Sequence, residues 1–142
     1  MSKDMNNKIV VKTIVSVPVE RVWQYWTEPN HIIKWSYASV DWYCPSAESD
    51  FRVGGEFHSR MEAKDGSFGF DFGGVFDYIK LYETICYTIG DGRKVEINFI
   101  NRGTATEVIE TFEAEVTNPI ELQQQGWQAI LDNFKKYVEN IK

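Results

Sequence analysis

Apolar and polar residues alternate with a period of two through the middle of this chain, and near the C-terminus apolar residues recur at steps of three and four. The first period describes one face of a pleated strand, the second one stripe of a helix. Phe57, Ser59 and Met61 alternate with His58, Arg60 and Glu62, and Phe68, Phe70 and Phe72 alternate with Gly69 and Asp71. Val95, Ile97 and Phe99, then Val108, Glu110, Phe112 and Ala114, continue the pattern within a segment from Ser39 to Val116. Lys64-Asp65-Gly66, Gly90-Asp91-Gly92 and Asn101-Arg102-Gly103 punctuate it with turn chemistry, so the segment reads as a meander of antiparallel hairpins. Gly54-Gly55 and Gly73-Gly74 fall beside or inside strands, where paired glycines predict a bulge or sharp bend and a sheet that curls.

The β-branched run Ile9 to Val17 predicts an opening strand. Pro18 breaks it and suits the first turn of a short helix, with Glu20 at the positive end and Val22, Trp23 and Trp26 on one side. Glu28-Pro29 ends that helix, and Asn30 to Trp35 predicts a second short one. After the meander, Asn118-Pro119-Ile120-Glu121 combines a capping residue, Pro at the first helical position and Glu three after the cap. Trp127, Leu131, Phe134, Val138 and Ile141 then hold one stripe along a helix of about 20 residues, roughly 30 Å long. Such a stripe needs a concave partner, and the Phe-rich strands supply one. The expected fold is α+β: a curved antiparallel sheet around a long C-terminal helix.

At 142 residues the chain is one domain long, with residues 1–7 too polar to expect order. Five Trp, nine Phe and seven Tyr are an excess that must fill a thick core or line a pocket. The net charge of −6, with no basic run, argues against nucleic acid, and no apolar stretch is long enough to span a bilayer. The polar N-terminal residues carry no apolar signal segment, so Cys44 and Cys86 are expected as reduced thiols of a soluble cytoplasmic protein.

His31 and His58 lie in different elements without a ligand partner nearby, so no metal and no cofactor is expected; His58 reads as a surface or rim residue. Neither cysteine has a Cys-His motif to activate it, and each reads as a small buried hydrophobe. Gly54-Gly55 lacks the helix and Lys-Ser/Thr of a phosphate loop, and Arg52 beside it is expected to pair with Asp50 or Glu56. Among Asp41, Asp71, Asp77, Glu83 and Glu110, all expected within the sheet, Glu110 stands out because it shares the face of Val108 and Phe112. A charge there needs a partner, such as Arg60 or a polar ligand atom.

The ordered series Val17-Pro18-Val19-Glu20-Arg21-Val22-Trp23, Trp35 and Asp50-Phe51-Arg52-Val53-Gly54-Gly55-Glu56-Phe57 resembles the activator-of-heat-shock-protein-ATPase homologue family, of the START-like (SRPBCC) superfamily. Asp65-Gly66, Gly74-Val75, Gly103-Thr104, Gly126-Trp127 and Leu131-Asp132-Asn133-Phe134 extend the resemblance over about Val11 to Val138. It implies the helix-grip fold, as in START-like and Bet v allergen-like proteins, with a ligand cavity between sheet and helix. The eukaryotic co-chaperone of that family carries an additional N-terminal domain for which this sequence has no room, so chaperone contact ranks below ligand binding.

Trp35, Trp42, Phe57, Met61, Phe70, Phe72, Ile97, Phe99, Glu110, Phe112, Trp127, Leu131 and Phe134 are therefore the candidate ligand-contacting residues. The competing arrangement is a filled core at ordinary interior density. Three roles follow in order: a protein that binds a small hydrophobic or amphipathic molecule, a chaperone-associated or self-associating (homodimeric) interaction module, and an enzyme using a cavity carboxylate.

Overall fold

The β-branched run near the N-terminus forms β1 (Lys8–Val15), the first described strand in a computed structural model that describes residues 8–141. The expectation that residues 1–7 are disordered lies outside the described residues. Pro18, in extended conformation, precedes α1 (Val19–Thr27) and is followed through Glu28 by α2 (Pro29–Ile32). The second helix starts at its proline and stops three residues earlier than Trp35; residues 33–35 form a turn. Thereafter β2 (Trp42–Ser49), β3 (Glu56–Ala63), β4 (Gly69–Lys80), β5 (Thr84–Ile89), β6 (Lys94–Asn101) and β7 (Thr106–Glu113) lead to α3 (Ile120–Glu139).

The strands form one seven-stranded antiparallel sheet in the order β1-β7-β6-β5-β4-β3-β2. The α+β architecture is as the two periods predict. The glycine pairs, however, are not where the register breaks. It shifts between Tyr43 and Ser46, where Pro45 could not donate to a ladder, and between Phe76 and Tyr78, which leaves Asp77 unpaired. The second shift moves the inward phase of β4 from Phe72 and Phe76 to Ile79. The glycines instead allow close backbone approach. A Cβ on Gly74 would lie 2.1 Å from the Thr88 carbonyl oxygen, and one on Gly55 2.0 Å from that of Asp50. That second approach folds residues 50–55 back onto β4, where Gly54 N donates to Phe76 O (2.8 Å) and Phe76 N to Gly55 O (2.9 Å).

The stripe of α3 meets the concave face as its spacing requires: Leu131, Phe134 and Val138 are fully buried. Each such side chain contributes roughly 1.5–3 kcal/mol by leaving water. Helix initiation differs from expectation. Pro119 is the capping residue and no side chain caps the helix; Asn118 Nδ2 donates to Glu115 Oε2 (2.6 Å), while Gln123 Nε2 donates to the carbonyls of Asn118 (2.7 Å) and Glu115 (3.1 Å). Asp41 and Glu83, expected within the sheet, fall in turns.

The helix leans toward the β1 edge of the sheet. Gln124 Nε2 donates to Val10 O (3.3 Å), Gln128 Nε2 to Lys12 O (3.1 Å) and Lys135 Nζ to Ile14 O (2.6 Å). These bonds occupy carbonyls that an edge strand would otherwise present to water or to another chain. Because α3 sits over this half, the concavity of β3, β4 and β5 is left for other residues to cover.

Candidate functional site

That uncovered half is a hollow of about 290 Å³. Its floor comes from inward positions of three neighbouring strands: Phe57, Ser59 and Met61 on β3, Phe70, Phe72 and Phe76 on β4, and Ile85 and Tyr87 on β5. Glu110 reaches it from β7, and Trp127 and Ile130 from α3. Trp26, Thr27, Ile32, Trp35 and Ser36 close one end, and Phe51, Glu48, Ser49 and Arg93 complete the lining.

Ring packing fixes this wall. Phe57 stands 5.0 Å from Phe76 and 4.8 Å from Tyr87 between ring centres, and Phe51 meets Phe76 edge-on at 5.2 Å. At the opposite end Trp26 lies 4.8 Å from Trp35, and both meet Phe134 at 4.8 Å. Trp35 is further held by its Nε1 donating to the Tyr25 carbonyl (3.0 Å), and Asn133 Nδ2 donates to the Trp35 carbonyl (2.9 Å), tying that loop to α3. Arg93 is committed at the rim: its Nε donates to Asp91 Oδ2 (2.8 Å) and its Nη1 to the Glu113 carbonyl (3.0 Å).

Of the thirteen residues proposed from sequence, Trp35, Phe57, Met61, Phe70, Phe72, Glu110 and Trp127 line the hollow. The other six do not. Ile97, Phe99, Phe112, Leu131 and Phe134 are buried in the solid core. Alternation fixes that they point inward but not how near the helix lies, and beneath α3 no space remains. Trp42 sits at the start of edge strand β2, beyond the lining, against Phe68 (6.0 Å) and Phe70 (5.8 Å). Phe68 and Phe70 are 63% and 42% exposed, so these three rings form an apolar rim at the mouth.

Tyr87, Phe76, Ile85, Phe51 and Ser59 also line the hollow, and none is among the thirteen residues proposed from sequence. The alternation Ile85, Tyr87, Ile89 was a usable signal for β5. Phe51 lies outside any strand, and only the backbone approach at Gly55 brings it to the wall.

Glu110 is 5% exposed, and its carboxyl has no hydrogen-bonding or ionic partner among the described residues. Burial alone pushes it up to about 8. Arg60, its expected partner, points away on β3 and pairs with Glu62 (3.0 Å) and Asp71 (3.4 Å). The Tyr87 phenol is raised well above its ordinary value, first by burial and second by Glu110, and it too has no hydrogen-bond partner among the described residues. Ser59, 5% exposed, presents a third such hydroxyl.

The remaining candidates lie elsewhere. His31 Nδ1 is 2.8 Å from the Tyr137 hydroxyl, and exposed His58 pairs with Asp71 at 3.0 Å. Arg52 pairs with Asp50 at 2.9 Å, one of its two expected partners. Cys44 and Cys86 are free, and burial raises both thiols, which disfavours the nucleophilic thiolate. Among the described residues no cluster of three His, Cys, Asp or Glu is placed to hold a metal, and no helix is long and apolar enough to cross a membrane.

The family described as "Activator of Hsp90 ATPase homolog 1-like protein" matches residues 16–139. An AHSA1-like protein from Aeromonas hydrophila is 42% identical, covering 93% of this chain and 92% of its own, with a TM-score of 0.88. A protein from Cytophaga hutchinsonii is 55% identical over 95% of this chain and 94% of its own (TM-score 0.81). One from Chromobacterium violaceum is 25% identical over 95% and 99% (TM-score 0.85). No curated protein matches the chain.

Proposed function

This chain belongs to the Activator of Hsp90 ATPase homolog 1-like protein family, and from that membership we propose that it binds a small hydrophobic or amphipathic molecule between sheet and C-terminal helix. The observation that carries this reading is the hollow of about 290 Å³, walled by aromatic rings and holding a few convergent polar groups. Ligand sites have that composition, and the volume sits near the lower end of their usual range of about 300–1,000 Å³, which suits a compact molecule. Apolar burial supplies the affinity at roughly 25 cal/mol per Å², and the polar groups orient the ligand. The exposed rim of Trp42, Phe68 and Phe70 gives such a molecule an apolar surface to meet before it enters. We further propose a cytoplasmic location, a compartment in which two free cysteines stay reduced.

Native mass spectrometry of freshly purified protein, followed by organic extraction, tests the reading. A co-purifying small molecule at one per chain, or saturable stoichiometric binding of an apolar fluorescent probe, supports it. Protein that carries nothing and ignores every probe while remaining folded overturns it.

A further inference from the structure

Glu110, Tyr87 and Ser59 are three buried, oxygen-bearing side chains that line one apolar hollow, with no side-chain hydrogen bond among the described residues. Buried polar groups are nearly always paired, because an unpaired one costs about 1–3 kcal/mol. A floor with three unpaired O–H groups is therefore shaped for something that supplies the missing partner. Resting on the cavity reading above, we propose that the ligand carries a neutral acceptor oxygen, a ketone, ester or amide carbonyl on an apolar body, which receives hydrogen bonds from the Tyr87 hydroxyl and the Glu110 carboxyl.

Two alternatives fit less well. Among the described lining residues an anionic ligand would meet one cation, Arg93, whose charge is already met by Asp91 and whose Nη1 is bonded to the Glu113 carbonyl. A cationic amine would require Glu110 as a carboxylate, in surroundings that give a carboxylate nothing else. Its sheet neighbours are Val11 on β1 and Ile97 on β6, and α3 turns Trp127 and Ile130 toward the hollow. The other titratable or charged lining groups are Tyr87 on β5, Arg93 ahead of β6 and Glu48 on β2. Burial holds the Glu110 proton up to about 8, so at neutral pH the carboxyl is a donor, as a carboxylic acid in an apolar site can be.

The test compares three probes on the full chain: propionyl-dimethylaminonaphthalene, its propyl analogue lacking the carbonyl oxygen, and naphthylmethylamine. The ketone should bind about tenfold more tightly than the propyl analogue, the worth of one or two hydrogen bonds. Its affinity should hold below about pH 8 and fall above it by at most about tenfold in all, levelling toward that of the propyl analogue, as the donor proton leaves. Glu110→Gln keeps a donor that cannot ionise, so it should retain ketone binding and abolish the pH dependence. Tyr87→Phe should weaken the ketone and spare the propyl analogue.

Equal affinity for ketone and propyl analogue overturns the proposal while leaving the cavity reading intact. An amine that binds best, and better as pH rises through 8, overturns it in favour of a cationic ligand. If no probe binds folded protein, both readings fall. Should Glu110→Gln not fold, the wild-type pH series and the emission shift of the hydrogen-bonded ketone decide the matter.

Discussion

Phe112 and Trp127 lie face to face, their ring centres 3.8 Å apart and their planes 12° from parallel. Phe112 is fully buried on β7, whereas Trp127 is half-buried on α3 and also meets Phe72 edge-on at 6.1 Å. One side of the indole is therefore core, while the residue also lines the hollow. Trp127 is the partition between the filled half of the concavity and the open half. A double-mutant cycle on Trp127→Leu and Phe112→Leu should return a coupling of about 0.5–1.5 kcal/mol in denaturant melts, the usual worth of an aromatic pair beyond its area. Strict additivity would mean the stack is incidental.

The partition predicts unequal costs for the phenylalanines on its two sides. Phe134→Ala, in the solid half, should destabilise by about 3–5 kcal/mol. Phe70→Ala should cost about 1 kcal/mol or less, because a ring already 42% exposed loses little burial. Phe72→Ala should fall between them and shift the affinity of an apolar probe. Urea melts of the three variants make the comparison. Equal penalties for Phe70 and Phe134 would mean that the hollow is filled in solution.

Glu110 makes stability depend on pH in an unusual direction. Its carboxyl is held at about 8 in the fold against an ordinary value of 4.5, so between those limits the native state binds more protons than the unfolded chain. Stability from this group is complete below the unfolded value and falls as pH rises through 8. The depressed carboxyls of Asp71, Asp91, Glu115 and Glu139 act in the opposite sense but at acidic pH, below this window. Wild-type protein should thus lose a few kcal/mol between about pH 5.5 and about pH 8.5, and Glu110→Gln should flatten the profile. Thermal melts across that range, stopping short of the thiol titrations, provide the measurement.

The fold was legible because its two periods are unambiguous: no strand pattern mimics Trp127, Leu131, Phe134 and Val138. The hollow was legible only in part. Alternation placed Phe57, Met61, Phe72 and Glu110 on the inner face, but it also placed Ile97 and Phe112 there, and only the lean of α3 toward β1 separates lining from core. The residues that bond α3 to β1 on that side, Gln124, Gln128 and Lys135, are polar and carry no periodic signal. Phe51 depends on a backbone contact that no side-chain pattern encodes. Arg60 matches Glu110 by charge, but the pleat turns it outward to Glu62 and Asp71.

The contact that holds the helix over β1 can be tested at one amide. Lys12 N donates to Gln128 Oε1 (3.4 Å) and Lys12 O accepts from Gln128 Nε2 (3.1 Å), so one side-chain amide imitates the backbone of a missing neighbour strand. Asp132 Oδ1 accepts from the same Nε2 (2.9 Å) and orients it. Gln128→Ala should cost about 1 kcal/mol, the net worth of such bonds at a partly wet edge. Hydrogen exchange at Lys12 should speed up more than at Val11, whose backbone faces β7 in the alternating antiparallel ladder. Gln128→Glu is the sharper probe. A carboxylate can still accept from Lys12 N, but it cannot donate to Lys12 O and it repels Asp132 one turn along the helix. Gln128→Glu should therefore destabilise at neutral pH at least as much as Gln128→Ala and recover as pH falls toward the carboxylate range. If Lys12 exchanges at the wild-type rate in both variants, water serves that edge as well as glutamine does, and the position of α3 must be set by Leu131, Phe134 and Val138 alone.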